Sequence, residues 1–251
     1  MQVKRLIPTI LGLFLLIGTP LHAQDDSQDL ARAIVEKADL ARFPQEGFEV
    51  VVAINTHTPG GDTESRKFKV LSKGNENSIV MILEPASESG QIMLMKARDL
   101  WVFLPNVSQP VRLGLSQRLT GQVANGDLAR ANFAGDYTPK LLRTEEADGE
   151  KCYVLELTAV DRGVTYGRVI YWVRQGNYWP HKAEFYSLSG RLLKTARYQN
   201  FETMGERVRP TRLLMEDALR KGEQSTLDYS ELRLRDLPDK IFSKDYLKRL
   251  Q

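Results

Sequence analysis

Turn signals recur along most of this chain at short spacing, and the gaps between them hold strands but not long helices. Pro59-Gly60-Gly61-Asp62, Lys73-Gly74-Asn75, Asp148-Gly149, Gln175-Gly176-Asn177, Ser189-Gly190 and Lys221-Gly222 all contain residues that tolerate the positive φ of tight hairpins. Between and around them lie runs rich in Val, Ile, Tyr, Trp and Thr. The predicted strands are Gly47–Thr56, Glu64–Leu71, Ser78–Leu83, Gln91–Lys96, Leu100–Leu104, Pro110–Leu113, Tyr153–Ala159, Val164–Arg174, Trp179–Leu188, Leu192–Phe201, Val208–Met215 and Ser225–Leu234. With no long helix available to cross from one strand to a parallel neighbour, this order predicts a mainly β, meandering antiparallel sheet.

Three segments break the strand pattern. Ser27–Arg42 sets Leu30, Ile34, Ala38 and Ala41 at helical spacing, with Asp25, Asp26 and Ser27 as caps and Pro44 beyond its end. Asn125–Ala134, with Asp127 as a cap and Leu128, Ala129 and Phe133 on one side, predicts a shorter helix inside a non-strand insertion from Gly114 to Asp136. Pro238–Leu250 places Ile241, Phe242, Tyr246 and Leu250 at similar spacing. These short amphipathic helices are the available cover for one face of the curled sheet. Alternation puts Ile79, Met81 and Leu83 on one face of their strand and Val80 and Ile82 on the other, and leaves open which face lines a cavity.

The N-terminus reads as a secretory signal peptide: Lys4 and Arg5, an apolar run from Leu6 to Ile17, then Leu21-His22-Ala23 with a small residue at the cut. The run is shorter than the roughly 20 residues a membrane-spanning helix needs. Residues 1–23 are therefore expected to be removed, and residues 24–251 to form one soluble domain in the periplasm. Two of the 35 basic residues lie in that leader, leaving 33 against 32 acids. Such a balance lacks the basic footprint of a nucleic-acid binder.

Candidate chemistry is sparse. The lone Cys152 cannot form an intramolecular disulfide, and its strand-like setting reads as a small core residue. His57 and His181 stand apart from any Cys/His/Asp grouping at metal-ligand spacing, so no metal or cofactor is expected. Gly114-Leu115-Ser116 lacks the second glycine and the α/β context of a nucleophile elbow and reads as a solvent loop. Glu145-Glu146 and Asp25-Asp26 read as solvated charge. An enzyme is not expected.

Asp99-Leu-Trp-Val-Phe-Leu-Pro-Asn, followed by Pro110-Val-Arg-Leu and by Gly121-Gln-Val-Ala-Asn-Gly-Asp-Leu-Ala-Arg with Phe133 and Asp136-Tyr137, gives the mature chain a further identity. In that order, behind a leader and an opening helix, these segments resemble the periplasmic outer-membrane lipoprotein-sorting proteins (LolA-like). The resemblance implies a bent, incomplete antiparallel β-barrel with covering α-helices, whose apolar cavity shields acyl chains of lipoproteins or other lipids on the way to the outer membrane. It also implies a possible inner-membrane transporter as partner, and the chain is expected to act as a monomer. No arginine of the family's ligand handling is transferred to a position here. Combined with alternation, the candidate lipid-binding residues are Met81, Leu83, Met93, Met95, Trp101 and Phe103 on the strands, with Leu128 and Phe133 on the insertion helix. That helix reads equally as a mobile lid, flanked by Gly121 and Gly135, or as a docked part of the core. The alternative function is a lipid or lipoprotein sensor, or an accessory protein of an export transporter, on the same fold.

Overall fold

Residues 22–74, 76–130 and 132–247 are described by the computed structural model, with side chains described from Ser27 onward. The expected signal peptide lies outside these residues except for His22 and Ala23, as does Leu250 of the C-terminal segment. The chain opens with α1 (His22–Arg42) and continues through β1 (Phe48–His57), β2 (Glu64–Lys73), β3 (Asn77–Glu84), β4 (Ile92–Lys96), β5 (Asp99–Phe103) and β6 (Val111–Leu113). The insertion follows as β7 (Arg118–Thr120), β8 (Val123–Ala124), α2 (Asn125–Ala129) and α3 (Phe133–Asp136). The second half is β9 (Tyr137–Ala147), β10 (Glu150–Ala159), β11 (Arg168–Arg174), β12 (Pro180–Tyr186), β13 (Leu192–Met204), β14 (Arg207–Asp217) and β15 (Gln224–Leu234), ending in α4 (Lys244–Leu247).

Thirteen of these strands form one antiparallel sheet in the order β6-β5-β4-β3-β2-β1-β15-β14-β13-β12-β11-β10-β9. Apart from the join of β1 to β15, every neighbour is the next strand in sequence or the previous one. The sheet does not close, because β6 and β9 remain as its edges, and the insertion that joins them in sequence spans the gap. Its concave face holds the main core. Ala31, Ile34, Val35 and Ala38 of α1 belong to this core, and α1 lies against β9, β11, β12 and β14. The buried stripe of α1 is thus turned slightly from the expected one, and Leu30 is 47% exposed.

The convex face is covered too, which bears on the site. Leu237, Ile241, Phe242 and Leu247 lie on Ile79, Ile92, Leu94 and Phe103, with Met81 and Trp101 at the margin and the Lys244 ammonium 3.9 Å from the Trp101 ring centre. This segment is not one helix. A 3-10 turn at Asp239–Ile241 gives way to α4, where the Ser243 hydroxyl accepts from the Tyr246 amide (3.3 Å) and restarts the helix as a serine cap does.

The predicted single helix at Asn125–Ala134 is likewise two. Arg130 is extended at φ −140°, and the Asn132 side chain accepts from Gly135 N to cap α3. β9 was absent from the predicted strands because Pro139 and its charges mask it. Those features suit an edge strand, whose outer N–H groups need no partner and whose charges discourage further pairing. It pairs with β10 across Asp148-Gly149, where φ values of 51° and 81° satisfy a two-residue hairpin turn.

Candidate functional site

Strand alternation decides which candidate residues can meet. Opposite partners share a face, and in β3 to β5 the pairs Val80↔Met93, Met93↔Val102 and Met95↔Leu100 lie on the concave side. Met81↔Ile92, Ile92↔Phe103 and Leu94↔Trp101 lie on the convex side. The expected common wall of Met81, Met93, Met95, Trp101 and Phe103 is therefore split by the pleat. Met93 and Met95 are buried within the curl, whereas Met81, Trp101 and Phe103 pack under the C-terminal segment and Leu83 is 41% exposed. A run apolar on both faces gives no sign of which is concave; here the C-terminal segment makes the convex face apolar as well.

Leu128 and Phe133 come from the insertion and do reach the concavity. Phe133 of α3 sits edge-on to Tyr137 and Tyr171 at 5.6 and 5.3 Å and borders a void of about 40 Å³ with Tyr166, Phe185 and Met215. Leu128 of α2 borders a neighbouring void of about 20 Å³ with Phe43, Val50, Val70 and Tyr229. Both are far below the roughly 300 Å³ at which small-molecule pockets begin. Neither void is large enough to hold an acyl chain.

Polar side chains hold the insertion in place: Asp127, Arg130 and Asp136 stand in the segment that carries the family resemblance, whereas Asp39, Arg42, Ser78, Arg98 and Lys194 were not singled out by sequence reading. Asp39 and Arg42, in the last turn of α1, face inward and pair at 3.0 Å. The Asp39 carboxylate also accepts the Ala134 amide of the insertion (2.8 Å), and the Arg42 guanidinium lies 4.1 Å from the Phe133 ring centre. Arg98, on the β4–β5 turn, donates to Asp136 (3.0 Å) and to the Gly135 carbonyl (3.0 Å), and pairs with Asp161 at 2.6 Å. Arg130 clasps the same Asp136 (2.7 Å) and donates to the Ala97 carbonyl (2.6 Å). On the other side, Asp127 holds the Lys194 ammonium of β13 (2.6 Å), the Tyr166 hydroxyl (2.7 Å) and the Ala124 amide (2.8 Å). Ser78 of β3 donates to the Ala129 carbonyl (2.7 Å). Asp127 was legible as a cap, but not as the partner of a lysine 67 residues away.

Desolvation makes one of these latches sensitive to acid. Burial pushes the Asp39 carboxyl up to about 6, against the pull of Arg42 and of the Ala134 amide. Because the folded-state value lies above that of the unfolded chain, the native state keeps the proton between about pH 4 and 6, and this contribution to stability is lost as pH rises through that window. Relative to Asp39→Asn, the wild-type protein should lose on the order of a few kcal/mol of stability from pH 4 to pH 7. Urea unfolding of both proteins across that range checks it; a constant difference would show that Asp39 titrates in the ordinary carboxylate range.

Elsewhere, Cys152 is fully buried on β10, as a small core residue should be. Ser116 sits in a turn closed by Gly114 N–H donating to Gln117 Oε1 (2.8 Å). Among the described residues, no helix is long and apolar enough to cross a membrane.

Comparison with known proteins adds the relationship. A family model described as "-like: Uncharacterized protein" matches residues 74–249, and no curated protein matches the chain. The structure of a LolA superfamily protein from Nitrosomonas europaea is 66% identical, covers 86% of this chain and 98% of its own, and superposes with a TM-score of 0.83. A DUF1329 family protein from Desulfovibrio piger, at 25% identity, covers 88% of this chain and 99% of its own, with a TM-score of 0.74. A domain assigned to outer membrane lipoprotein sorting in Vibrio parahaemolyticus, at 22% identity, covers 88% and 100% with a TM-score of 0.74 and shares the fold. With an open antiparallel half-barrel, its helical cover and a relative two-thirds identical over nearly its full length, this chain belongs to the LolA superfamily.

Proposed function

We propose that this protein is a periplasmic carrier that binds acyl chains of lipoproteins or other lipids inside its half-barrel and shields them from water during transfer towards the outer membrane. One observation carries the reading: the face under the insertion is lined mainly by aromatic and aliphatic side chains, with the buried Arg42 among them, while the insertion itself is fastened by ion pairs and hydrogen bonds to five separate elements of the rim and core. α2 and α3 have five and four residues and are too short to be stable alone. Each latch exchanges its partner for water on opening, at a net cost of roughly 0.5–1.5 kcal/mol for a neutral bond and about 1.5–3 kcal/mol for one to a charge. Burying an acyl chain returns about 0.8 kcal/mol per CH₂. A chain of a dozen or more carbons can therefore offset the opening of several latches, and in its absence the cover closes over voids too small to hold it. Met93 and Met95 would then floor the cavity, with Leu128 and Phe133 on its roof. An inner-membrane transporter is the natural donor in such a route, and one copy of the chain suffices to enclose a ligand.

Native mass spectrometry of the protein purified from its own periplasm tests this. The expected spectrum contains lipid or lipopeptide adducts that disappear after delipidation and return on incubation with a membrane extract. A bare mass throughout, with no uptake by the delipidated protein, would overturn the carrier reading.

A further inference from the structure

Outside the cover, a groove of about 240 Å³ runs between the β7–β8 ribbon and the tips of two neighbouring hairpins. Arg118 stands on the ribbon, Arg191 on the β12–β13 turn and Arg220 on the β14–β15 turn; Lys194 and Tyr166 form the floor. Tyr166 also borders the larger interior void, and both its hydroxyl and the Lys194 ammonium end on Asp127. A single polar partition, Lys194–Asp127–Tyr166, thus separates the groove from the space assigned above to acyl chains.

The charges in the groove are not balanced. Lys194 is committed to Asp127 and to the Gln122 carbonyl, and Arg220 is shared between Asp217 (3.3 Å) and Glu223 (3.1 Å). Asp217 also caps its own turn by accepting from the Leu219 and Arg220 amides. Arg118 and Arg191, both exposed, have no side-chain hydrogen bond or ion pair among the described residues. They are forked donors suited to a phosphate or carboxylate, whereas the charge of the buried lysine beneath them is met by Asp127. The hairpin tips carry a second feature: Leu188 is 66% exposed and Leu219 is 63% exposed, beside Arg191 and Arg220. β13 and β14 pair at Lys194↔Asp217, which brings the two tips to the same end of the sheet. Leucines set among arginines suit a lipid surface better than free anions in water.

We propose that this groove binds the anionic phosphate head of an amphiphile whose chains occupy the half-barrel, with Arg118 and Arg191 as the phosphate donors. The assignment rests on the carrier reading and narrows its ligand to lipids with an anionic phosphate head.

Titration calorimetry of the delipidated full-length mature protein tests it with four probes: dihexanoyl-phosphatidylglycerol, dihexanoyl-phosphatidylcholine, dihexanoylglycerol and inorganic phosphate. The wild type should bind the phosphatidylglycerol about tenfold or more tightly than the phosphate-free dihexanoylglycerol, the scale of one charge-assisted hydrogen bond, with the phosphatidylcholine, whose choline offsets its phosphate charge, in between. Arg118→Gln/Arg191→Gln should abolish that preference and leave dihexanoylglycerol affinity unchanged, while Arg118→Lys/Arg191→Lys should retain part of it. Both positions are exposed, so circular dichroism should show unaltered folding. A wild type without the preference, or a Gln variant that keeps it, overturns the groove and leaves the carrier reading standing. Inorganic phosphate binding as tightly as the lipid overturns the amphiphile assignment in favour of a free anion. Failure of every lipid, dihexanoylglycerol included, overturns both.

Discussion

Asp127→Ala is expected to cost about 3–5 kcal/mol of folding stability, the range found when one member of a buried ion pair is removed. Its carboxylate and the Lys194 ammonium are only 7% and 5% exposed, so neither can be rehydrated without moving the insertion. The variant leaves the ammonium facing Tyr166 and the Gln122 carbonyl with no counter-charge, and also strips the Ala124 amide of its acceptor. For a domain of this size the loss corresponds to a fall of roughly 10 °C in melting temperature. Asp127→Asn/Lys194→Met removes both charges and keeps the volume, and should recover most of the loss, since neutral replacement of a buried pair is often close to thermoneutral. Urea denaturation of the single and double variants makes the comparison. A loss below about 1 kcal/mol for Asp127→Ala would mean that water from the outer groove reaches Lys194 and that the partition between groove and interior is open.

The meander, its turns and the opening helix were legible because each is written locally: hairpin dipeptides, period-two apolar runs, and Ile34 with Ala38 four residues apart. What was not legible is what depends on contacts distant in sequence. Phe103 and Met93 both read as apolar strand residues, and their opposite fates follow from the C-terminal segment, which comes more than 130 residues later and covers one side of the sheet. β9 was hidden by Pro139 and its charges, which an edge strand permits and a central one would not. The site was half visible. Leu128 and Phe133 announced an apolar underside, but the latches of the insertion draw on Asp39, Arg98 and Lys194, whose charges look like ordinary solvated ones until the fold buries or pairs them. Asn132 and Ser243 did carry a local signal for the two helix breaks, since each can cap a new helix from within what reads as one amphipathic run.

The largest functional effect is expected from bolting the insertion shut. Gly126 of α2 packs directly on Thr165, in the connection between β10 and β11: a Cβ placed on Gly126 would lie 2.0 Å from Thr165 Oγ1 and 3.0 Å from its Cβ. Only glycine fits against threonine at that distance. Replacing both removes the obstructing hydroxyl, and Gly126→Cys/Thr165→Cys needs about half an ångström of adjustment to reach the roughly 3.5 Å or more between Cβ atoms that a disulfide requires. Cys152 should not compete, because it is fully buried and burial pushes its thiol up to about 11. The oxidised double variant should fold and melt no lower than its reduced form, since the bond closes a loop already closed by the fold. If α2 must leave the rim to admit a chain, oxidised protein should take up a fluorescent fatty-acid probe at least about tenfold more slowly than reduced protein, because a covalent bond removes the open population on which uptake depends. Adding reductant to the same sample should restore the rate. Oxidised and reduced samples loading at the same rate would place the entry route elsewhere and make α2, with Leu128 beneath it, a fixed part of the core.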